Sequence, residues 1–450
     1  MRVSDGAGRQ LGAFAFLALS LSFGAGCKPS PERALEHGRS AEAKTRTRGI
    51  EELLELREAG VPGLIALLRE PDAQKEARQA LSRLGRPAVP GLIAVARDGS
   101  QPDPSRSTCI ELLGELKAAE AISTLVGLLS DPNQGEPAHF ALVAIGPAVL
   151  EPLAALLTDA GASTQARTLA VGVLSAVKGP RALEALLSLL RTDAAPAAVR
   201  TEALRALTHF EDPRAGQAVL DGLTDRAKEV RKQAFELFSK NPDPRALDTL
   251  LKVLDEDGWR QSAAEALGQL REPRGFERLG ELLGRDGGPG RLEIIAGLAT
   301  SSDPAIVPVV LRTLHTWDLA PDAYEIAVRL GWKPGSPDEQ SLVDLAKHDK
   351  AALLARWAQV RPLLLADLQS KNGDARINAA RWLILLGMDD ALPPMLAALK
   401  ASEDTLLATT YFGCGKPQLV KAASAWMERR KVVIDEGRDL PPIVWNRPPP

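Results

Sequence analysis

The sequence predicts an all-α protein built as a right-handed α-solenoid of about ten or eleven helix pairs. Three patterns lead to that class. Gly63–Glu70 (GLIALLRE) returns as Gly91–Asp98 (GLIAVARD). Pro180-Arg181, Pro213-Arg214, Pro244-Arg245 and Pro273-Arg274 follow one another at nearly even intervals, each opening a Leu-rich segment. Finally, Arg106, Arg167, Arg200, Arg231, Arg260, Arg291 and Arg376 recur among the same small and apolar neighbours. A period of about 31 residues holds one helix pair. One pair cannot bury its own apolar stripe, so the units stack and neighbour contacts replace a central core.

Composition narrows the function classes. The 450 residues are 45% hydrophobic and 25% charged, with a formal net charge of −3. A nucleic-acid binder carries a net basic footprint, so nucleic acid is excluded as a partner class. Three Cys cannot form a disulfide framework.

The first element is an address. Arg2 and Arg9 precede the apolar run Leu11–Phe23, followed by Gly24, Ala25, Gly26 and Cys27. A helix of that length covers about 20 Å, short of the roughly 30 Å hydrocarbon core, so residues 1–26 read as a signal peptide rather than a retained span. Small residues before a Cys that closes the run resemble the lipobox of bacterial lipoproteins, although Gly24 stands where Leu is usual. The resemblance implies acylation of Cys27, a membrane held by a lipid anchor, and a bacterial cell envelope as the location. Plain secretion is the alternative. Residues 27–48, charged and carrying Pro29, Pro31 and Gly38, read as a tether.

From 49 to 331 the repeats are regular. The first helix of each unit carries a Leu pair, such as Leu67-Leu68, Leu128-Leu129, Leu186-Leu187 or Leu250-Leu251, and a preceding Pro suits its first turn. In the second helix, three residues beyond each Arg stands Cys109, Ala170, Ala203, Ala234, Ala263, Ile294 or Ala379. Four residues further on comes Leu113, Leu174, Leu207, Leu267, Leu298 or Leu383. Offsets of three and four place both columns on one buried face, where small side chains let helices approach closely. Gly284–Arg291 reads as a loop, and Gly331–Gln340 as a linker and subdomain boundary. Residues 341–431 read as more divergent helical repeats, ending in a helix from about Lys416 to Lys431. The tail 432–450 is rich in Pro and reads as extended.

The pattern resembles HEAT repeats, in particular the short HEAT-like repeats named after phycobilisome lyases, with their second-helix Val-Arg followed by Ala and Ala-Leu. The resemblance implies a solenoid lined on its inner surface by second helices, and Arg side chains bonded to Asp and carbonyl groups in adjacent turns. Asp193 and Asp225 stand upstream of Arg200 and Arg231 for that role. Related enzymes are bilin lyases and deoxyhypusine hydroxylase, whose di-iron site uses His-Glu dipeptides; this chain has no His-Glu dipeptide.

No catalytic, metal or cofactor motif emerges. His37, His139, His209, His315 and His348 are scattered, without HExxH or CxxC. Ser175–Lys178 matches a serine-acylase spacing but lies in a second helix without companion motifs. Cys109 fills the small column, and Cys414 lies too far along the array to pair with it. The candidate partner-binding residues are Trp382, Trp357, Trp332 and Trp317. Trp382 aligns with Ala206 and Ala266, so its indole either needs local room or reaches the inner surface as an anchor. Trp259 replaces the Val of the column and reads as core. The function these residues imply is a lipid-anchored, non-catalytic envelope scaffold for a protein or peptide, with no cofactor. The alternatives are a HEAT-like lyase or hydroxylase and a purely structural envelope component.

Overall fold

The computed structural model describes residues 30–192, 195–284, 290–314, 316–371, 373–432 and 443–446. These form twenty-seven α-helices and short 3-10 turns, with no strand among the described residues. The chain is an all-α solenoid. It divides into two compact units, Met1–Ala215 and Gly216–Pro450.

The repeated octapeptides become equivalent helices, Val61–Leu67 and Val89–Arg97, each with Pro in its first turn. Proline is favoured there because its missing N–H would find no helical partner anyway. Each pairs with a second helix, Gln74–Leu84 and Asp103–Glu115 respectively. First helices then pack on first helices and second on second: Leu150–Thr158 lies against Pro180–Leu190, and Asp103–Glu115 against Gly135–Ile145. In the Gly216–Pro450 unit, Lys228–Lys240, Arg260–Leu270 and Arg291–Leu298 repeat the order.

Both sequence columns are buried. Cys109, Ala170, Ala203, Ala234, Ala263, Ile294 and Ala379 are fully or almost fully buried, and so are Leu113, Leu174, Leu207, Leu267, Leu298 and Leu383. A Cβ added at Gly114 would stand 2.7 Å from Ala141 Cα, which shows how closely two second helices approach. Each fully buried Leu contributes roughly 1.5–3 kcal/mol relative to exposure, so stability is distributed along the array. Cys109 and Cys414 are unpaired and buried.

Two expectations are corrected. Residues 31–48 are not a tether but most of a helix pair, Pro31–Gly38 and Ala43–Glu55. Ser30 caps the first through Arg33 N–H at 3.3 Å. The helices cross where a Cβ at Gly49 would stand 2.3 Å from Gly38 N, and His37 Nδ1 lies 3.0 Å from Glu52 Oε2. Nor does the division into units fall at Gly331: it lies inside Pro213–Gly222, while Ala320–Arg329 packs on Pro337–Ala346 across the supposed boundary. The last helix is Pro417–Arg430, as the pattern indicated. The signal peptide, Cys27, Asp193, His315, most of the Gly284–Arg291 loop and most of the tail lie outside the described residues.

Candidate protein-binding face

The Arg column is a bracket, not an anion stripe. Arg106 Nε donates to Ala96 O at 3.3 Å, Arg200 to Ala195 O at 2.6 Å, Arg260 to Leu254 O at 3.1 Å and Arg376 to Ser370 O at 2.7 Å, while Arg167 donates to Asp159 O. The acceptors lie at the end of the preceding helix, as Ala96 does in Val89–Arg97, or in the turn that leads into the second helix. Members of the column also reach the following repeat: Arg106 to Asp131 at 2.8 Å, Arg231 to Glu256 at 2.7 Å, Arg291 to Thr316 at 3.1 Å and Arg376 to Asp404 at 3.0 Å. Arg231 therefore uses an acidic residue ahead of it, a different direction from the expected upstream Asp225. Guanidinium groups bonded in this way, buried at Arg106, Arg167, Arg200, Arg231 and Arg260 and half-buried at Arg291 and Arg376, do not form an open anion stripe.

What the second helices present to solvent lies between the columns. In the Gly216–Pro450 unit, Lys228–Lys240 and Arg260–Leu270 enclose a cleft of about 240 Å³ lined by Lys232, Phe235, Glu236, Trp259, Glu265 and Gln269. Phe235 and Trp259, both half-buried, stack with ring centroids 5.7 Å apart at 12°. Arg231 covers Trp259 with its guanidinium carbon 4.4 Å from the ring centroid, so the bracket that joins the repeats also fixes the aromatic floor. Gln269 Oε1 is buried without a hydrogen-bond partner. The cleft thus combines an aromatic floor with a charged rim.

The Met1–Ala215 unit carries a second cleft of about 520 Å³ between Gly135–Ile145 and Thr164–Val177, lined by Pro132, Asn133, Glu136, Pro137, Gln165 and Leu169 among others. Phe140 follows Glu136 and Pro137 by four and three residues, so it shares their helix face. It is 68% exposed and meets His139 edge to face.

The four tryptophans expected at a binding surface separate. Trp382 is 1% exposed, which corrects its assignment as a partner anchor. Its indole has room because Trp317 and His348 pack on it, at 4.4 and 4.9 Å between centroids, in place of a regular helix contact. Trp317 and His348 also meet each other, at 4.6 Å. His348 sits at φ +53°, and burial pushes its imidazole below the ordinary histidine range, against a hydrogen bond to the Trp317 backbone and the charge of Asp318. Trp317, Trp332 and Trp357 are half-buried. Trp357 donates to Asp390 at 3.2 Å, and neither it nor Trp332 takes part in the Trp317–His348–Trp382 ring contacts. The sequence reading also placed Trp259 in the core, whereas it forms a cleft floor. Phe235 and Phe140 go beyond the sequence reading; for Phe235 the available signal is an aromatic residue directly beside Ala234 of the small column.

Among the described residues, no three His, Cys, Asp or Glu side chains are grouped to hold a metal, and no single helix is long and apolar enough to cross a membrane.

Residues 150–239, 192–268 and 217–291 match the family of HEAT repeats. No curated protein matches the chain. Among solved structures, Kap121p bound to Pho4p is similar at 14% identity and TM-score 0.41, over 89% of this chain and 51% of that one. The chain thus spans about half the length of Kap121p. Human deoxyhypusine hydroxylase is similar at 18% identity and TM-score 0.22, covering 60% of this chain and 94% of that one. The complex of CpcE and CpcF of phycocyanin lyase from Nostoc is similar at 17% identity and TM-score 0.19, covering 71% and 100%.

Proposed function

We propose that this chain is a non-catalytic scaffold that binds a protein or peptide partner on its second-helix faces, held in a bacterial cell envelope by a lipid on Cys27. The observation that carries the binding reading is the Phe235–Trp259 floor, partly open to solvent and pinned by Arg231. Side chains fixed in the free protein lose little rotamer freedom on binding, so less ordering entropy opposes association. Trp is also among the residue types that dominate interface energetics. The anchor rests on the apolar run Leu11–Phe23 and the small residues before Cys27. The weakly acidic composition supports attachment by lipid rather than by electrostatic attraction to anionic headgroups.

Site-directed photo-crosslinking tests both parts. A photoreactive residue at Glu265 in the full chain is expected to give one discrete adduct in envelope membranes. Phe235→Ala and Trp259→Ala should each reduce its yield by about tenfold, the scale of a hot-spot side chain. Cys27→Ala is expected to release the chain from the membrane fraction. An adduct indifferent to both aromatic substitutions contradicts the cleft, and a Cys27→Ala variant that stays membrane-bound contradicts the anchor.

A further inference from the structure

The Phe235–Trp259 cleft belongs to a longer surface. Within the Gly216–Pro450 unit, the second helices Lys228–Lys240, Arg260–Leu270, Arg291–Leu298 and Ala320–Arg329 pack on one another in that order. The buried Ala323 and Ala327 set the register of the last one. Two places beyond the small column stand Glu236, Glu265, Ala296 and Glu325, one on each helix. Glu236, Ala296 and Glu325 are exposed and Glu265 is half-buried, and Glu236 and Glu265 line the cleft itself. Leu292, 59% exposed and one turn before Ala296, and Val328, 44% exposed and one turn after Glu325, extend the apolar floor along the same helices. Among the described residues, Glu236, Glu265 and Glu325 form no ion pair. Glu111, at the same register in the Met1–Ala215 unit, is held by Arg78 at 2.6 Å. On first helices of the Gly216–Pro450 unit, Asp248 is paired with Arg274 and Glu281 with Arg278, each at 3.1 Å.

Spacing and charge together select an occupant. Packed helices stand about 8–10 Å apart. Here the approach is close, since a Cβ at Gly297 would come within 2.4 Å of Gln261 O. An extended chain advances about 3.3 Å per residue, so one step between second helices spans about three of its residues. We propose that the cleft takes an extended basic segment of a partner protein, laid across the second helices. Its Lys or Arg residues meet Glu236, Glu265 and Glu325, and an apolar residue meets Ala296 and Leu292. The cations then follow a three-residue spacing in which the apolar residue occupies the step between Glu265 and Glu325. Residues between the first two cations cover the Phe235–Trp259 floor. Lys232, one turn before Glu236, bounds the row on one side and repels a cation placed off register. Carboxylates without partners favour a basic segment over an acidic or wholly apolar one, which would leave them uncompensated on binding. The proposal rests on the reading of the cleft as a partner site and adds the chemistry of the partner.

The test measures the anisotropy of fluorescent peptides on the full chain. KLSKTSLTSK carries the required spacing, KSTLSTKSLK is its reverse for the opposite chain direction, and KKKLSTSLTS has the same composition with its cations together. One of the two spaced peptides is expected to bind about tenfold tighter than the clustered one. Exposed ion pairs are individually weak, so Glu236→Gln, Glu265→Gln or Glu325→Gln alone should cost about two- to fivefold and the triple variant about tenfold or more. Equal binding of spaced and clustered peptides, no binding of either spaced peptide, or binding unchanged in the triple variant overturns the proposal. A photoreactive residue at Ser262, which lines the cleft and leaves the three carboxylates in place, separates this from the cleft reading. Its adduct in envelope membranes should fall with Phe235→Ala and with the triple Gln variant. An adduct that falls only with Phe235→Ala overturns the charge assignment and leaves the cleft standing, whereas one indifferent to both overturns the two together.

Discussion

Arg106 and Asp131 are joined across a repeat boundary at 2.8 Å, while the Arg106 Nε holds Ala96 O in its own repeat. One buried side chain thus ties together the end of the preceding helix Val89–Arg97, its own helix and the next unit. The same guanidinium column bridges forward at Arg231, Arg291 and Arg376. In an array without a central core, such brackets set the cooperativity between neighbours.

Arg106→Ala removes hydrogen bonds to a charged partner and leaves Asp131 without its cation. A loss of about 2–3 kcal/mol is expected. Hydrogen exchange should show it as faster exchange in both Asp103–Glu115 and Gly135–Ile145, rather than in the mutated helix alone.

The same pair carries a pH dependence. Burial would raise the Asp131 carboxyl, but the Asn133 N–H, Arg106 and the Gln134 N–H together hold it below the usual carboxylate range. A depressed folded-state value means that the unfolded chain binds protons first. The contribution is therefore complete above the unfolded value near 3.9 and is lost as pH falls through the folded one. Protection of Asp103–Glu115 in the unsubstituted chain should decline below about pH 4, and Asp131→Asn should flatten that decline.

His348 gives a second window with the same sign. Burial lowers its imidazole, so the neutral ring belongs to the folded state. Its contribution is complete above about pH 6.5, the unfolded value, and declines as pH falls toward the folded one. Denaturation followed by tryptophan fluorescence should show the unsubstituted chain losing more stability between pH 7 and pH 5 than His348→Gln. Equal losses contradict the assignment.

Trp382→Ala is expected to act on stability. Removing a fully buried indole costs about 3–5 kcal/mol, whereas Trp259→Ala, at a half-buried position, should cost less and act mainly on partner capture. Thermal denaturation of both variants, set beside their crosslinking yields, separates the two roles.

The repeat columns were legible because a helix repeats its buried face every three to four residues and the array repeats its units at a near-constant interval. That is why Ala203 and Leu207, or Ala263 and Leu267, could be placed before any coordinates. Contacts that break the period were not legible. The room for Trp382 comes from Trp317 and His348, distant in sequence and in an irregular stretch. The pair formed by Pro31–Gly38 and Ala43–Glu55 has few apolar residues, and its signature is the packing of Gly38 on Gly49, which a charged composition conceals. The cleft floor needed two neighbouring second helices at once, since Phe235 and Trp259 belong to successive repeats.

The most direct measurement is hydrogen exchange of the full chain with and without the protein captured through Glu265. Added protection is expected along Lys228–Lys240 and Arg260–Leu270, with Phe235→Ala removing it. Protection confined to first helices such as Leu247–Val253 and Pro273–Leu283, with the second helices unchanged, would contradict binding on the second-helix face.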